Sequence, residues 1–507
     1  MRIAPRNVKP DRTLWLDVDA GVGYVDGNNS PGRLPVTAGR VELEATLDAA
    51  RRCGATRVML TGRPIPREWL LAVVPGWTHG RHHLDHETPT GRYSTDDGTR
   101  VEIKRAAEWF GRAQFTPLQA RAAWQATGHV LEKSGRGGAA MFRAPGATGL
   151  DLWLRAANAE VPEPASVGVQ DLIRATSPQH RIELHAPAVT EAPALWIMDG
   201  RWMYAALTSQ LGSGEPQWRR GPDAAEHFAA HPYARGRYLV KFAAPPFWRE
   251  TPHAPGLLMA RTGESATDGW HCPTDGETWA DSAELHVAVQ YGWQLTFVEG
   301  MVWPAGKPLD TWTARLVRAR DAVSDAELGP DVAALVRGAV RAVMLYAVGA
   351  WHSAGADEVT VTASPMERPD GDDWDAPEML ATGGALWRRR TATQDARALS
   401  MRHPEWSSQI WGRAHARMLE GPTGTPGRSS GMLHTAFSAG SLVGCYGDAL
   451  MLTSRPVWAD HDDGRPGRLR VKGHLCGPVA WPTSARERDA LTLAAEAAGA
   501  TCTKGCN

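Results

Sequence analysis

The N-terminal part of the chain alternates between strand-like and helix-like patterns of apolar residues. Residues 13–26 contain two apolar runs separated by a glycine-containing turn, which predicts two short strands. Apolar residues then recur at helical spacing over 40–52, and 56–60 forms a further apolar run. The succession of strand, strand, helix and strand predicts an α/β unit.

A second group of elements begins near residue 190. The apolar run 194–198 predicts a buried strand, and the apolar residues around 442–445 and 449–453 predict a hairpin with a turn at 446–448. The same reasoning predicts the remaining larger elements: strands at 236–243 and 293–303, helices at 202–211, 281–290, 405–420 and 484–498, and two helices within 309–350. Together these patterns predict a multidomain protein of the α+β and α/β classes.

Composition and charge narrow the class of protein. The 507 residues are enough for two or three domains, and 22% charged residues exclude a disordered polyelectrolyte. The net charge of −1 argues against a protein that holds nucleic acid by bulk electrostatics, although a local basic groove remains compatible with it. The apolar run 332–351 is interrupted by Arg337 and Arg341, which argues against a transmembrane helix. Six scattered cysteines and the absence of an apolar leader predict a cytoplasmic location.

Two aspartates stand at positions where a metal-dependent site could form. Asp199 ends the apolar run 194–198, and Asp448 lies in the turn of the predicted hairpin. Carboxylates held side by side on strand ends can clamp two divalent cations for nucleotidyl transfer. The competing interpretation is that each aspartate is an ordinary turn or capping residue.

The surroundings of these aspartates resemble the palm of family B DNA polymerases, especially the protein-primed phage and plasmid type. The family's first palm motif, Asp-x-x-Ser-Leu-Tyr-Pro, matches at Asp199 and Tyr204. The resemblance implies that Tyr204 stacks under the sugar of the incoming nucleotide. The family's last palm motif, Tyr-x-Asp-Thr-Asp-Ser, matches at Tyr446 and Asp448, whereas Leu450 stands where the family has its main metal-binding aspartate.

A fingers-like motif lies between the two palm motifs. The family's Lys-x-x-x-Asn-Ser-x-Tyr-Gly aligns with 341–349, where Arg341 keeps the cation and Gly349 keeps the glycine. Arg337 lies one helical turn before Arg341 and shares its face. The resemblance implies that these three residues bind the nucleotide, with Arg341 on its triphosphate. The alternative is a solvated basic stripe on an amphipathic helix.

The N-terminal region resembles the family's 3′–5′ exonuclease domain, which has an RNase H-like fold. Asp17 and Asp19 match the first acidic motif, but the second motif falls at 61–66 and contains no acid. In the third motif, Gln119 stands in place of the acid. Because two metals would meet only two carboxylates, we expect a vestigial exonuclease site without activity.

The resemblance implies an exonuclease-type domain, a palm, fingers and a reduced thumb. The boundaries that it predicts are 1–190 for the exonuclease-like domain, 191–310 for the first part of the palm, 311–400 for fingers-like helices and a loop, 401–480 for the second part of the palm, and 481–507 for a short tail or reduced thumb. The nearest counterpart of the family's Lys-x-Tyr motif is the basic stretch 468–472.

By this resemblance, the chain is a template-directed DNA polymerase of a phage, plasmid or mobile element. It would use Mg²⁺ or Mn²⁺ held by Asp199 and Asp448, together with deoxynucleotides, a DNA template and a DNA or terminal-protein primer, and no membrane. The alternative is a catalytically inactive polymerase-fold scaffold that binds DNA or a replication partner, which the loss of acids at Leu450 and Gln119 favours.

Two other groups of residues could carry chemistry. The histidine-rich stretch 79–87 could bind a metal, although such stretches are more often surface turns. The basic segment 387–390, which begins with Trp387, could meet phosphates and stack on a base, or it could be a solvated patch.

Overall fold

A computed structural model describes the larger part of the chain. The described residues are 3, 5, 12–25, 32–84, 89–111, 114–157, 161–185, 190–231, 234–250, 254–261, 269–354, 357–371, 373–380, 384–390, 399–420, 442–455 and 465–500. They form two compact units, and both units combine distant parts of the sequence. The first unit contains 1–161 and 314–401, and the second contains 162–313 and 402–507.

Strands and helices alternate along most of the described chain. The strands are β1 (Thr13–Asp17), β2 (Val22–Val25), β3 (Arg57–Thr61), β4 (Thr78–His79), β5 (Gly91–Ser94), β6 (Arg100–Arg105), β7 (Ile182–Leu184), β8 (Glu191–Gly200), β9 (Gln217–Arg220), β10 (Arg235–Ala243), β11 (Ala260–Arg261), β12 (Trp270–His271), β13 (Asp275–Asp281), β14 (Gln294–Trp303), β15 (Asp357–Thr362), β16 (Glu378–Met379), β17 (Ala385–Arg390), β18 (Leu442–Tyr446), β19 (Ala449–Leu452) and β20 (Leu469–Ala480). The helices are α1 (Leu43–Arg52), α2 (Arg67–Leu70), α3 (Ala107–Phe110), α4 (Pro117–Lys133), α5 (Pro145–Ala156), α6 (Val167–Thr176), α7 (Met203–Leu207), α8 (Gly221–Ala230), α9 (Pro246–Glu250), α10 (Ser282–Gln290), α11 (Asp310–Asp321), α12 (Asp325–Leu328), α13 (Pro330–His352), α14 (Pro404–Glu420) and α15 (Ala485–Ala498).

The first unit is built on a six-stranded mixed sheet in the order β2-β1-β3-β6-β5-β4. Strand β3 runs parallel to both β1 and β6. Apolar side chains of β1, β3 and α1 form the core of this unit, as the alternation and helical spacing predict. Val359, Val361 and Leu386 from β15 and β17 complete the same core.

Helices α5 and α13 approach each other closely in the first unit because α5 carries two glycines on the contact. A Cβ at Gly149 would lie 2.6 Å from the Ala347 Cβ and 2.6 Å from the Val343 carbonyl oxygen, and a Cβ at Gly146 would lie 2.9 Å from the Tyr346 carbonyl oxygen. Helix α13 also packs against α3 and α4. In the described part of the chain, α13 alone is long and apolar enough to span a membrane by length and composition, and half of its apolar stretch is buried.

The second unit contains a five-stranded sheet in the order β20-β8-β19-β18-β7 and a four-stranded sheet in the order β13-β10-β14-β9. All pairs in both sheets are antiparallel. Strand β8 lies inside the five-stranded sheet, between β19 and β20, and therefore carries buried side chains on both faces. Helices α8 and α10 pack on the four-stranded sheet.

Helix α14 is almost wholly buried in the second unit although it carries many polar residues. Two of its polar side chains have partners on other elements: the Ser408 hydroxyl accepts a hydrogen bond from the Arg237 guanidinium at 2.7 Å, and His415 Nδ1 lies 3.0 Å from Glu284 Oε1. Such pairing offsets the cost of removing polar groups from water. Helix α14 is thereby fixed against α10, which begins at the capping residue Asp281.

Most larger elements lie where the sequence patterns predict them, and the α/β and α+β class is confirmed. The patterns did not predict helices α5, α6 and α8, nor the strands β15 to β17. Helix α5 begins Pro-Gly-Ala-Thr-Gly, a composition typical of a loop, and forms because packing against α13 overrides this weak local preference. The boundaries 1–190, 191–310, 311–400, 401–480 and 481–507 stay predictions.

Candidate functional site

Asp199 lies near the end of β8, where two neighbouring strands meet it. Its direct partners across the sheet are Ala449 on β19 and Arg470 on β20. Cross-strand partners project from the same face of a sheet. The row on this face therefore reads Ala449, Asp199, Arg470, with a methyl group on one side of the carboxylate and a guanidinium on the other.

Asp199 is buried, and two cations compensate its charge. Its Oδ2 atom lies 3.7 Å from Arg470 Nη2 and 3.9 Å from Lys472 Nζ. Lys472 also contacts Glu496 of α15 at 2.9 Å. The side chain of Asp199 is only 4% exposed, so these contacts are screened less than surface ion pairs. The position where an active two-metal site would hold cations is bordered by positive side chains of the protein itself.

Asp448 is adjacent to Asp199 in the backbone but directs its carboxyl group elsewhere. The Gly200 N–H donates a hydrogen bond to the Asp448 carbonyl oxygen at 2.8 Å, which joins the hairpin turn to the end of β8. A Cβ added at Gly200 would lie 3.2 Å from Asp448 Oδ2, so the Asp448 carboxyl group lies on the Gly200 face of the sheet. Asp199, one residue earlier on the strand, projects from the opposite face. A shared cation therefore requires the Asp448 side chain to rotate.

Leu450 does not occupy the position that faces Asp199. It pairs across the sheet with Met198, and its side chain is 1% exposed. Leu450 is thus a core residue on the sheet face that carries Met198 and Gly200. Ala449 lies on the opposite face, together with Asp199. Ala449, and not the Leu450 that the motif comparison indicates, is thus the residue directly across from Asp199.

The carboxylates of Asp199 and Asp448 are of the ligand type that Mg²⁺ or Mn²⁺ prefers, but they are too few to balance the charge of two such ions. Carboxylate oxygens are the ligands that these ions prefer. Asp199 and Asp448 would supply two negative charges, which balance one divalent cation and leave a second uncompensated. Within the described ranges, no group of three or more His, Cys, Asp or Glu side chains is arranged to hold a metal ion.

Tyr204 lies on the short helix α7, directly after β8. In the turn between β8 and α7, Trp202 adopts a left-handed backbone conformation with a φ of 49°. The backbone N–H of Arg201 donates a hydrogen bond to the Arg468 carbonyl oxygen at 2.8 Å, which joins this turn to the segment before β20. Tyr204 is half-buried. The strand that carries Asp199 thus also positions Tyr204, as the motif alignment requires.

Arg337, Arg341 and Gly349 all lie on α13, which belongs to the first unit. Arg337 Nη1 forms an ion pair with Asp325 Oδ1 at 2.8 Å, and both side chains are partly exposed. A Cβ at Gly349 would meet no atom of the described residues within 4 Å. The nucleotide-binding role of these three residues stays a prediction.

The three exonuclease-like motif positions line one cavity of about 1030 Å³ in the first unit. Its lining includes Asp17 from the first motif, Gly62 from the second, and Phe115 and Gln119 from the third. Asp17 Oδ1 accepts hydrogen bonds from the backbone N–H groups of Asp19 and Ala20 at 3.0 and 2.9 Å. The sequence alignment therefore identified residues that the fold brings together.

Cationic and amide groups stand where this cavity would need acids. Arg63 Nε lies 3.1 Å from Asp19 Oδ1, and the Arg63 backbone N–H donates to Asp19 Oδ2 at 2.7 Å. The Gln119 side chain is used in a capping box, since its Oε1 accepts from the Thr116 N–H at 2.9 Å. Arg63 lies in the acid-free second motif, three residues after the predicted strand 56–60, and no sequence pattern marks it as a partner of Asp19.

The histidine-rich stretch is partly described. His79 Nδ1 lies 2.8 Å from His82 Nε2, and His82 is fully buried against β15. Burial lowers the pKa of His79 to about 4, so this ring is neutral at neutral pH. Residues 85–88 lie outside the described ranges. The described pair is a structural contact of the first unit.

The basic segment 387–390 belongs to β17, where Trp387 is buried and Arg389 lies between Glu358 and the Trp374 ring.

These features together define a DNA polymerase fold with exonuclease-like, palm and fingers parts. Solved structures that resemble the chain include those of phi29 DNA polymerase. The complex with single-stranded DNA aligns with a TM-score of 0.54 and 10% sequence identity over 92% of this chain and 84% of that chain. The ternary complex with primer-template DNA and incoming nucleotides aligns with a TM-score of 0.53 and 9% identity over 92% and 85%.

Similarity of this kind establishes the fold. The predicted architecture of an exonuclease-type domain, a palm and fingers is confirmed at this level. No protein-family model matches the chain, and no curated protein matches its sequence. The relationship is therefore visible in three dimensions and in the order of a few short motifs.

Proposed function

We propose that this chain is a template-directed DNA polymerase-like nucleotidyltransferase of a phage, plasmid or mobile element. The observation that carries the proposal is the fold: 92% of the chain aligns with phi29 DNA polymerase bound to primer-template DNA and incoming nucleotides. Asp199 stands near the end of a central strand, next to the hairpin turn that contains Asp448. The partners are a DNA template, a DNA or terminal-protein primer, and deoxynucleoside triphosphates.

The two aspartates would hold Mg²⁺ or Mn²⁺. A divalent cation held there would lower the pKa of the attacking hydroxyl and would offset charge on the phosphoryl oxygens. Asp199 is already fixed at the strand end, so its contribution requires only that Arg470 and Lys472 move aside. Asp448 contributes once its side chain rotates towards Asp199. Because both adjustments cost free energy, the reaction is slow.

Other residues of the chain bind and orient the substrates. Tyr204, held after β8, excludes a 2′-hydroxyl by packing against the sugar of the nucleotide. Arg341 and Arg337 share one face of α13, where two guanidinium groups can form several hydrogen bonds to a triphosphate. Gly349 leaves space on the same helix, since a Cβ added there would meet no atom of the described residues within 4 Å.

The exonuclease-like cavity does not degrade DNA under this proposal. Asp17 and Asp19 are two acids where four are expected, and Arg63 already neutralises Asp19. A guanidinium beside the remaining carboxylates repels the two cations that phosphodiester hydrolysis of this type needs.

A second function is favoured by one specific observation: Asp199 is contacted by Arg470 and Lys472 and faces Ala449. A carboxylate that is compensated by the protein's own cations serves to position a basic strand. In this alternative the chain binds DNA through β20 and carries out no nucleotidyl transfer. The two candidates share the DNA partner and differ in whether Asp199 is needed for binding or for chemistry.

Primer extension and DNA binding, measured on the same variants, distinguish the two. For the polymerase, Asp199→Ala abolishes incorporation with Mn²⁺ and leaves primer-template affinity within about twofold. The matched control is Asp275→Ala, because Asp275 is an exposed acid of the same unit that pairs with Arg249 at the surface. For the binding protein, no variant incorporates nucleotides, and Arg470→Ala weakens DNA binding. The polymerase proposal is wrong if the natural protein binds primer-template DNA but incorporates no nucleotide in Mg²⁺ or Mn²⁺.

A further inference from the structure

Helix α8 ends in a pair of histidines that the polymerase proposal does not use. His227 lies in its last turn and His231 directly follows the helix, four residues later. Residues four apart lie on the same side of a helix. The two imidazole ring centroids are 4.7 Å apart, with 44° between the ring planes. Both rings line a cavity of about 390 Å³, together with Gln217 of β9 and Trp303 of β14.

The separation of the two rings matches that of two imidazoles on one metal ion. Zinc binds a histidine nitrogen at about 2.0–2.1 Å, which places the ion roughly 3.2 Å from the ring centroid. Two such rings at an angle of 90–109° have centroids roughly 4.5–5.2 Å apart. The observed 4.7 Å lies within this range.

The hydrogen bonding of His227 fits a metal ligand. Its Nδ1 lies 3.2 Å from the Tyr238 hydroxyl, and Tyr238 is buried in β10. Metal-binding histidines characteristically use their second ring nitrogen in such a contact, which fixes the ring and leaves Nε2 for the ion. Burial lowers the pKa of His227, and the nearby His231 and Arg219 add to the shift, whereas Asp223 opposes it.

We infer that His227 and His231 together bind one divalent transition-metal ion that prefers imidazole, namely Zn²⁺, Ni²⁺ or Cu²⁺. Water completes the coordination. Asp223 lies one turn before His227, but its carboxylate is engaged by Arg219 at 3.3 and 3.4 Å. The site differs in chemistry from Asp199 and Asp448, since carboxylates select Mg²⁺ and Mn²⁺ while imidazoles select ions later in the first transition row.

The consequence of such an ion is mechanical. It would fix the last turn of α8, where both ligands lie, and would hold the His227 ring against Tyr238 of β10. A bound ion adds stability to the folded state in proportion to the logarithm of its concentration over its dissociation constant. The inference does not depend on catalysis at Asp199.

Histidine labelling with diethyl pyrocarbonate, read residue by residue by peptide mass spectrometry, tests the inference on the full chain without an affinity tag. One equivalent of Zn²⁺ is expected to reduce labelling of His227 and His231 together, whereas millimolar Mg²⁺ leaves both unchanged. His231→Ala should remove the protection of His227. The matched control is His129→Ala, since His129 is an exposed histidine on α4.

A second measurement separates ligation from packing. Tyr238→Phe removes only the hydroxyl that contacts His227 and should weaken Zn²⁺ affinity by about tenfold, as loss of a ligand's hydrogen-bond partner usually does. Zn²⁺ should raise the unfolding temperature of the natural protein and of His129→Ala, and not that of His231→Ala. The inference is overturned if Zn²⁺ protects neither histidine, or if His227 stays protected in His231→Ala.

Discussion

Asp199 and Ala449 face each other directly across the ladder between β8 and β19. A methyl group therefore occupies the place from which a second carboxylate could share a cation with Asp199. The hairpin turn is close enough for a backbone hydrogen bond to Gly200, so the missing element is a side chain and the scaffold around it is present. This relationship makes the site open to a gain of function by one substitution.

Ala449→Asp is expected to strengthen metal binding at Asp199. The substitution adds a carboxylate on the same face, and Ala449 is partly exposed, so the new group fits without disturbing the core. We expect Mn²⁺ to bind at least about tenfold more tightly and Mn²⁺-supported primer extension to rise by a similar factor, which corresponds to about 1.4 kcal/mol. Calorimetric Mn²⁺ titration and steady-state nucleotide incorporation measure the two effects.

Leu450→Asp is the informative comparison because the motif alignment favours it. Leu450 is fully buried opposite Met198, so a carboxylate there is desolvated and replaces core contacts. We expect a loss of at least about 2–5 kcal/mol in the free energy of unfolding, as for large-to-small core substitutions. If Leu450→Asp folds normally and raises incorporation more than Ala449→Asp does, then the register that assigns Ala449 to the Asp199 face does not describe the active form.

The exonuclease-like cavity should be inactive in both metals. Asp19 is held by Arg63, and Gln119 is committed to the capping box of α4. A 3′-labelled single strand should remain intact with Mg²⁺ or Mn²⁺ over hours. Metal-dependent shortening of the strand that disappears in Asp17→Ala would contradict this expectation.

The contact between α5 and α13 gives a stability prediction with a built-in control. Gly149→Ala would place its Cβ 2.6 Å from the Val343 carbonyl oxygen and from the Ala347 Cβ, which forces the helices apart. We expect a loss of about 1–3 kcal/mol, typical of overpacking. Gly349→Ala on α13 meets no neighbour among the described residues and should gain up to about 1 kcal/mol from helix propensity. Urea unfolding of both variants, each compared with the natural protein, tests the pair; equal stabilities would contradict the close approach.

Asp281 should make the second unit less stable as the pH rises. Burial raises the pKa of this carboxyl group to about 7, and Glu284 adds to the shift. An unfolded aspartate has a pKa of about 3.9, so the folded state binds the proton more tightly. The resulting contribution is complete below about pH 4 and is lost as the pH rises towards 7.

Asp281→Asn isolates this contribution because the amide oxygen can still accept the hydrogen bond that caps α10 at the Ala283 N–H. The variant should show a flatter dependence of unfolding free energy on pH between about 4 and 7 than the natural protein. Chemical denaturation at several pH values measures the slope. An unchanged slope would show that other groups dominate the titration.

The sequence predicted the parts of the fold that rest on strong local patterns. Strand β8 and the hairpin of β18 and β19 have apolar runs with turn residues at their ends, so their positions followed from periodicity. Helix α5 could not be predicted in this way, because its glycines are favourable only against α13. Contacts of this kind are absent from any local window.

The sequence predicted which segments form the candidate site, but it did not predict which residue of β19 faces Asp199. The motif order located Asp199 and the hairpin turn, and the fold joins them. Which residue of β19 faces Asp199 depends on strand pairing, and a shift of one residue exchanges the two faces of the sheet. The approach of Arg470 and Lys472 depends on β20, which pairs with β8 from more than 260 residues away. No spacing rule connects positions so distant.

The distance along the chain between β8 and its partners also governs when this sheet can form during synthesis. Strand β8 ends at Gly200, whereas β18, β19 and β20 begin at residue 442 or later. At a translation rate of about 5–20 residues per second, roughly 12 to 48 s pass before the first partner strand is made. During this interval β8 is an apolar strand whose two neighbours in the sheet, β19 and β20, have not yet been made. Unpaired apolar strands favour aggregation and chaperone binding. The five-stranded sheet of the second unit can therefore complete its strand pairing only after β20 has been made.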